Sequence, residues 1–168
     1  MRSVTCLMLV MFVLVSAAFA EDAVSPQTAT TYCTYQDGSQ VSVRYSDTAP
    51  ARKGDLPAGK VWSPGDVPML LFTEVPLKVA NTDLPVGAYS MYVIPGKDKW
   101  TLIVSKNVSA NAPYDEKLDI VRTSMDTGKL TMAMDAPKIS FAHISPKVCS
   151  LRVDYGKTGA WADAFAQK

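Results

Sequence analysis

The residues able to do chemistry are few, and they gather in one place. Asp115, Glu116 and Asp119 stand beside Tyr114 and Arg122. Carboxylates next to a cation can hold it in an ion pair, accept hydrogen bonds from a polar ligand, or act as acid and base in hydrolysis. Hydrolysis needs two acids at a set separation across a cleft, which spacing along a chain does not supply. If the chain enters a strand at Leu118, Asp119 points away from Leu118, Ile120 and Arg122, so Arg122 shares a face with apolar neighbours and needs a carboxylate partner. A structural ion pair is the first reading. A polar-ligand site is the second, and a hydrolase using Asp115, Glu116 or Asp119 is the third.

His143 is the one histidine, which removes multi-histidine metal sites and most histidine-paired nucleophiles. It alternates with Ile139 and Phe141, the pattern of a core or half-buried side chain. No G-x-S-x-G, H-E-x-x-H, P-loop or EF-hand pattern is present. No catalytic residue, metal ligand or cofactor is therefore identified, and the reading leans away from an enzyme. Among the aromatics that could line a groove (Trp62, Tyr89, Tyr92, Trp100 and Tyr114), Trp62 lies in a long Pro/Gly-rich stretch and is singled out for ligand contact. Asn107-Val108-Ser109 matches a glycosylation sequon.

The cysteines are read through the compartment that the N-terminus predicts. Arg2 precedes an apolar run from Val4 to Phe19 that closes on Ala18-Phe19-Ala20, followed by Glu21. This pattern predicts a signal peptide over 1–20, cleaved between Ala20 and Glu21. The alternative, an uncleaved anchor, wants a longer apolar span. Cys6 leaves with the signal, and Cys33 and Cys149 remain as an even pair in an oxidising compartment, where a disulfide is expected. Such a closure contributes about 4 to 5 kcal/mol in the loop-entropy picture. A redox or metal role is disfavoured, since neither has a C-x-x-C partner or a histidine close by in sequence.

The chain of 168 residues is 48% hydrophobic and 20% charged, enough for one domain with its own core. Its 17 Lys+Arg against 16 Asp+Glu become equal in number once Arg2 is lost. No cationic excess is left for nucleic acid, and no transmembrane segment is expected after cleavage. The mature protein is expected in the periplasm or outside the cell, with a small molecule, a glycan or an envelope protein as partner.

The positioning elements read as strands. Val41, Val43 and Tyr45 alternate with polar residues, as do Leu130, Met132 and Met134, and Cys149, Leu151 and Val153. Short apolar runs at 69–79, 86–94 and 100–104 are bounded by turn residues. About nine strands with little helix predict an all-β antiparallel β-sandwich, jelly-roll-like or a partly closed barrel, over 30–168, after a flexible segment at 21–29. For the first hairpin, a three-residue loop from Asp37 to Ser39 pairs Cys33 with Val43 and turns its side chain to the apolar face. Near the end, Gly156 and Gly159 predict a turn before a short strand or tail in which Trp161 and Phe165 share a face.

Several segments together resemble the exported bacterial family grouped as domain of unknown function 2911. They are Val41 to Ser46, Gly59 to Trp62, Leu84-Pro85-Val86-Gly87-Ala88-Tyr89-Ser90 running through Ile94-Pro95 to Trp100-Thr101, and Tyr114-Asp115 with Asp119 and Arg122. The resemblance covers most of Thr31 to Phe165. It implies an all-β, export-associated single domain and supplies no activity, substrate or cofactor. Many members carry Arg, any residue, Gly, Ala and Asn after the Trp corresponding to Trp62, where this chain has Ser63 to Val67. Tyr114, Asp115, Asp119 and Arg122 match.

The sequence thus predicts a non-catalytic binding domain whose ligand site draws on Trp62, Tyr114, Asp115, Asp119 and Arg122. The rival readings are a carboxylate-dependent hydrolase and a cell-envelope interaction or structural protein.

Overall fold

A computed structural model of the chain describes residues 27–48, 56–109 and 113–168. The signal segment 1–20 and its Ala20–Glu21 junction lie outside the described residues. The strands are β1 (Thr28–Thr34), β2 (Gln40–Ser46), β3 (Met69–Thr73), β4 (Leu77–Val79), β5 (Thr82–Leu84), β6 (Gly87–Ile94), β7 (Trp100–Ser105), β8 (Asp119–Ser145) and β9 (Val148–Gln167). Two 3-10 turns, Pro64–Asp66 and Glu116–Leu118, are the only helical pieces among the described residues. β1 begins inside the segment expected to be flexible.

All nine strands form one antiparallel sheet in the order β1-β2-β3-β6-β7-β8-β9-β4-β5, open at β1 and β5. β8 joins its two halves. Its first residues pair with β7 and its remainder with β9. Side chains alternate across each strand, and one set forms a single buried cluster. Val41, Val43, Leu71, Met91 and Leu102 come from one half; Leu77, Val79, Leu151, Val153 and Phe165 come from the other.

Edge strand β1 of the first half meets β9 of the second. Cys33 on β1 and Cys149 on β9 are joined by a disulfide, with Cα atoms 6.4 Å apart and 116 positions of chain between them. Both are buried, as the alternation predicts. Tyr35 reinforces the junction by donating from its hydroxyl to the Phe165 carbonyl at 3.3 Å.

The first hairpin differs from expectation in its loop. Cys33 pairs with Val41 rather than Val43, and the Tyr35 amide donates to the Ser39 carbonyl at 2.8 Å, so the three loop residues are Gln36 to Gly38. Asp37 accepts from both the amide and the hydroxyl of Ser39, which pulls Ser39 out of the loop, and Gly38 supplies the left-handed φ of +87°. The pairing moves by two residues, an even number, so Cys33 keeps its core-facing side.

Three further expectations are corrected. Met132 is 76% exposed, because β8 loses regular pairing with β9 between Lys129 and Lys138 and the alternation there no longer selects the core. Gly156 and Gly159 do not make a turn; β9 runs through them. Gly156, at φ +57°, sits at a register shift opposite Met134, and a Cβ on Gly159 would lie 2.5 Å from both Arg152 Nη2 and Asp154 Oδ1. Trp161 and Phe165 do not share a face. Phe165 is fully buried edge-on to Phe141, whereas Trp161 is half-buried outside the core under the Arg152 guanidinium.

Candidate functional site

Strand β6 is buried on both of its faces from Tyr89 to Val93, so something must cover its outer side. Met91 and Val93 belong to the core, and Tyr92 points the other way. Its ring is covered by Tyr114, edge-on with ring centroids 5.1 Å apart. Tyr114 leads into the 3-10 turn, which is anchored to the sheet by the Leu118 carbonyl accepting from the Ser105 hydroxyl at 3.2 Å and the Lys106 amide at 3.0 Å.

That anchoring places Asp119 at the first position of β8, in a cross-strand row with Ser105 and Ser90, both buried. The Asp119 side chain is 6% exposed. Its Oδ2 accepts from the Tyr114 hydroxyl at 2.5 Å and lies 3.4 Å from Arg122 Nη1. Its Oδ1 is buried and has no hydrogen-bond partner among the described residues. Arg122 pairs opposite Ile103 and also bonds Glu116.

The electrostatics follow from burial. Desolvation raises the Asp119 carboxyl above its ordinary value, against the Tyr114 hydrogen bond and the Arg122 charge, which pull it down. Desolvation likewise raises the Tyr114 phenol well above the usual tyrosine value, and its hydrogen bond to the Asp119 carboxylate adds to the effect. Burial raises Tyr92 too. The arrangement is a buried acid under two phenols, with one acceptor oxygen and a half-exposed cation beside it.

Of the residues singled out from sequence, Tyr114, Asp119 and Arg122 come together here. Asp115 is exposed beside them, its Oδ1 accepting from the Lys117 amide as the cap of the 3-10 turn. Trp62 does not join them. Its backbone pairs with Val93, and its ring packs against the core and lies 5.8 Å from the Tyr155 ring. Tyr92 and Val93 are neighbours in one strand, so Tyr114 and Trp62 attend opposite faces of the sheet. Behind Tyr155 an open cleft is bounded by Leu56, Ala58, Lys97, Trp100 and Lys157. The segment Ser63 to Val67 forms a turn around Gly65, where a Cβ would lie 2.5 Å from the Ser46 Oγ.

One partner, Tyr92, is not singled out by the sequence, and the expectation for His143 is corrected. Tyr92 was only one aromatic among several, and the sign of its role was the unbroken burial of β6 on both faces. His143 is not a core residue: it is exposed, and the β8–β9 register sets it directly opposite Cys149. The same outer face continues onto β3 and β1 as exposed Phe72 and Tyr32, with the Arg44 guanidinium 5.7 Å from the Phe72 ring centre.

A family model described as Protein of unknown function (DUF2911) matches residues 25–162. No curated protein and no solved structure matches the chain.

Proposed function

The chain belongs to the DUF2911 family, whose description names no activity, and from that premise we propose that it is a binding domain for a polyhydroxylated ligand, held on the outer sheet face at Tyr92, Tyr114, Asp119 and Arg122. The observation that carries this is Asp119 Oδ1, a buried acceptor with no partner among the described residues. An unpaired buried acceptor costs stability, on the order of 1 to 3 kcal/mol. A local shift that admits a ligand hydroxyl to this oxygen would recover that loss, and the half-buried Tyr114 ring, which covers Tyr92, offers an apolar face on which a sugar ring packs. A hydrolase is less well supported. Asp115 is occupied with capping a turn and Glu116 with Arg122, so among the described residues these neighbouring acids leave no second acid opposite Asp119 as glycoside cleavage requires.

The reading includes export. The signal-like residues 1–20 and a buried disulfide both fit an oxidising compartment outside the cytoplasm. Near-zero formal charge leaves selection to shape and hydrogen bonding rather than to long-range attraction.

The test is calorimetric titration of the oxidised chain with soluble hexasaccharides of glucose and of N-acetylglucosamine. Binding that is lost in Tyr114→Ala and weakened at least tenfold in Asp119→Asn supports the site. Absence of binding to any of the hexasaccharides, or binding unchanged by both substitutions, rejects it.

A further inference from the structure

We propose that Cys33, Cys149 and His143 form a metal site when the disulfide is reduced, so that two sulfurs close either a covalent bond or a Cys2His site for a thiophilic divalent ion such as Zn2+. One ligand atom from each of the three residues lies within 4.8 Å of the others. They come from three strands, β1, β8 and β9, and share no motif in the chain. Only the folded sheet assembles them, through the register that faces His143 toward Cys149 and the fold that brings β1 against β9.

The geometry suits tetrahedral coordination. Metal–sulfur bonds of about 2.3 Å and metal–nitrogen bonds of about 2.0 to 2.1 Å put neighbouring ligand atoms roughly 3.5 to 3.8 Å apart at tetrahedral angles. That lies inside the 4.8 Å envelope, and Cα atoms 6.4 Å apart leave the two sulfurs room to separate. Charge also balances. Two thiolates neutralise a divalent ion where Cys33 and Cys149 are 3% and 0% exposed, which a buried cation requires. His143 lies on the exposed side, leaving a fourth position for water, the open coordination of an exchangeable site. The sulfur and imidazole donors select zinc-like ions over magnesium or calcium.

The electron balance is simple. Reduction puts two electrons into the S–S bond, supplied by a dithiol that becomes its own disulfide; two thiols result, and metal binding releases their two protons. Exchange with an oxidised dithiol carrier re-forms the bond and frees the ion, and the carrier leaves as its dithiol with two protons from solvent.

The experiment uses the full chain without a polyhistidine tag, oxidised or reduced by a water-soluble phosphine, which becomes the phosphine oxide. Co2+ is the optical probe and Zn2+ the competitor. The reduced chain should take up one equivalent of Co2+ with thiolate charge-transfer and tetrahedral ligand-field bands, displaced by Zn2+, and the oxidised chain none. His143→Ala, a change at an exposed side chain, should weaken binding by more than the roughly 10- to 100-fold that loss of a ligand's supporting hydrogen bond already costs. No charge-transfer band, equal affinity in His143→Ala, or equal uptake by the oxidised chain would overturn the proposal. If reduction unfolds the chain, Zn2+ must restore a cooperative thermal transition in the wild type and fail to do so in His143→Ala; any other pattern also overturns it.

Discussion

The two ends of β8 are built by opposite logic. At its start, Asp119 is a buried acid with one oxygen shared between Tyr114 and Arg122 and the other without a partner among the described residues. Near its far end, His143 stands opposite Cys149, which is bonded covalently to Cys33, and the adjoining Tyr35 hydroxyl has its acceptor in Phe165. One end ties edge strand β1 to β9 through a covalent bond. The other keeps a polar cluster on the outer face, where apolar side chains would have been easier to bury. A region that is more costly than folding requires is where binding should be sought.

Breaking the covalent end gives the largest expected effect. Replacing both Cys33 and Cys149 by Ser should lower unfolding free energy in urea by about 4 kcal/mol, since the bond closes a loop of more than a hundred residues. A loss below about 1 kcal/mol would mean that the core alone holds β1 against β9. Hexasaccharide binding by the folded variant should be unchanged, which separates the two ends.

At the other end, Tyr114→Phe removes the donor to Asp119 and leaves both carboxylate oxygens short of hydrogen bonds. We expect a loss of about 1 to 3 kcal/mol in the same urea assay. A neutral result would show that Arg122 and water already satisfy the acid, and would weaken the case for Asp119 as an acceptor awaiting a ligand.

Tyr35→Phe is the matched deletion at the covalent end and should cost about 1 kcal/mol, because one satisfied hydrogen bond is lost and the Phe165 carbonyl alone is left. Burial pushes the Tyr35 phenol up from 10.0 to about 12. A raised pKa stabilises the fold fully below the unfolded value and loses that contribution as pH rises through the folded one. Wild-type stability should therefore fall between about pH 10 and 12, and the Phe variant should fall less steeply over the same range. Equal slopes would place the Tyr35 hydroxyl in contact with water.

Much of the covalent end was legible in the sequence. Strand alternation around Cys33 and Cys149 put both on the apolar face, and parity survived a misplaced hairpin loop because the register moved by an even step. The polar end was half legible. Tyr114, Asp119 and Arg122 are near neighbours in the chain, so local spacing found them, whereas Tyr92 and Ser90 reach them only by pairing across β7. Trp62 stands out in the sequence for its long Pro/Gly-rich stretch, yet loop length says nothing about which face of a sheet a loop covers. His143 shows the same limit. Its alternation with Phe141 predicted burial, but the pattern cannot tell where a hairpin runs out of core, and Cys149 is its neighbour through register alone.

The smallest effect is also the most discriminating. Desolvation, the largest influence on Asp119, raises its carboxyl above the ordinary 3.8, so the folded state disfavours the charge that the acid carries at neutral pH. Its contribution to stability is full below the unfolded pKa and falls as pH rises through the raised folded value. Asp119→Asn removes that dependence while keeping size and shape, so the variant should be as stable as the wild type at pH 7 or more stable by up to about 1 kcal/mol, with a flatter profile at pH above the unfolded carboxyl's pKa. If the same variant also loses hexasaccharide affinity, stability and binding pull in opposite directions at one side chain, as expected of an acid kept for its ligand. A substitution that destabilises by several kcal/mol would instead make Asp119 a structural partner of Arg122, and the outer face would then resemble the disulfide end in purpose as well as in strand.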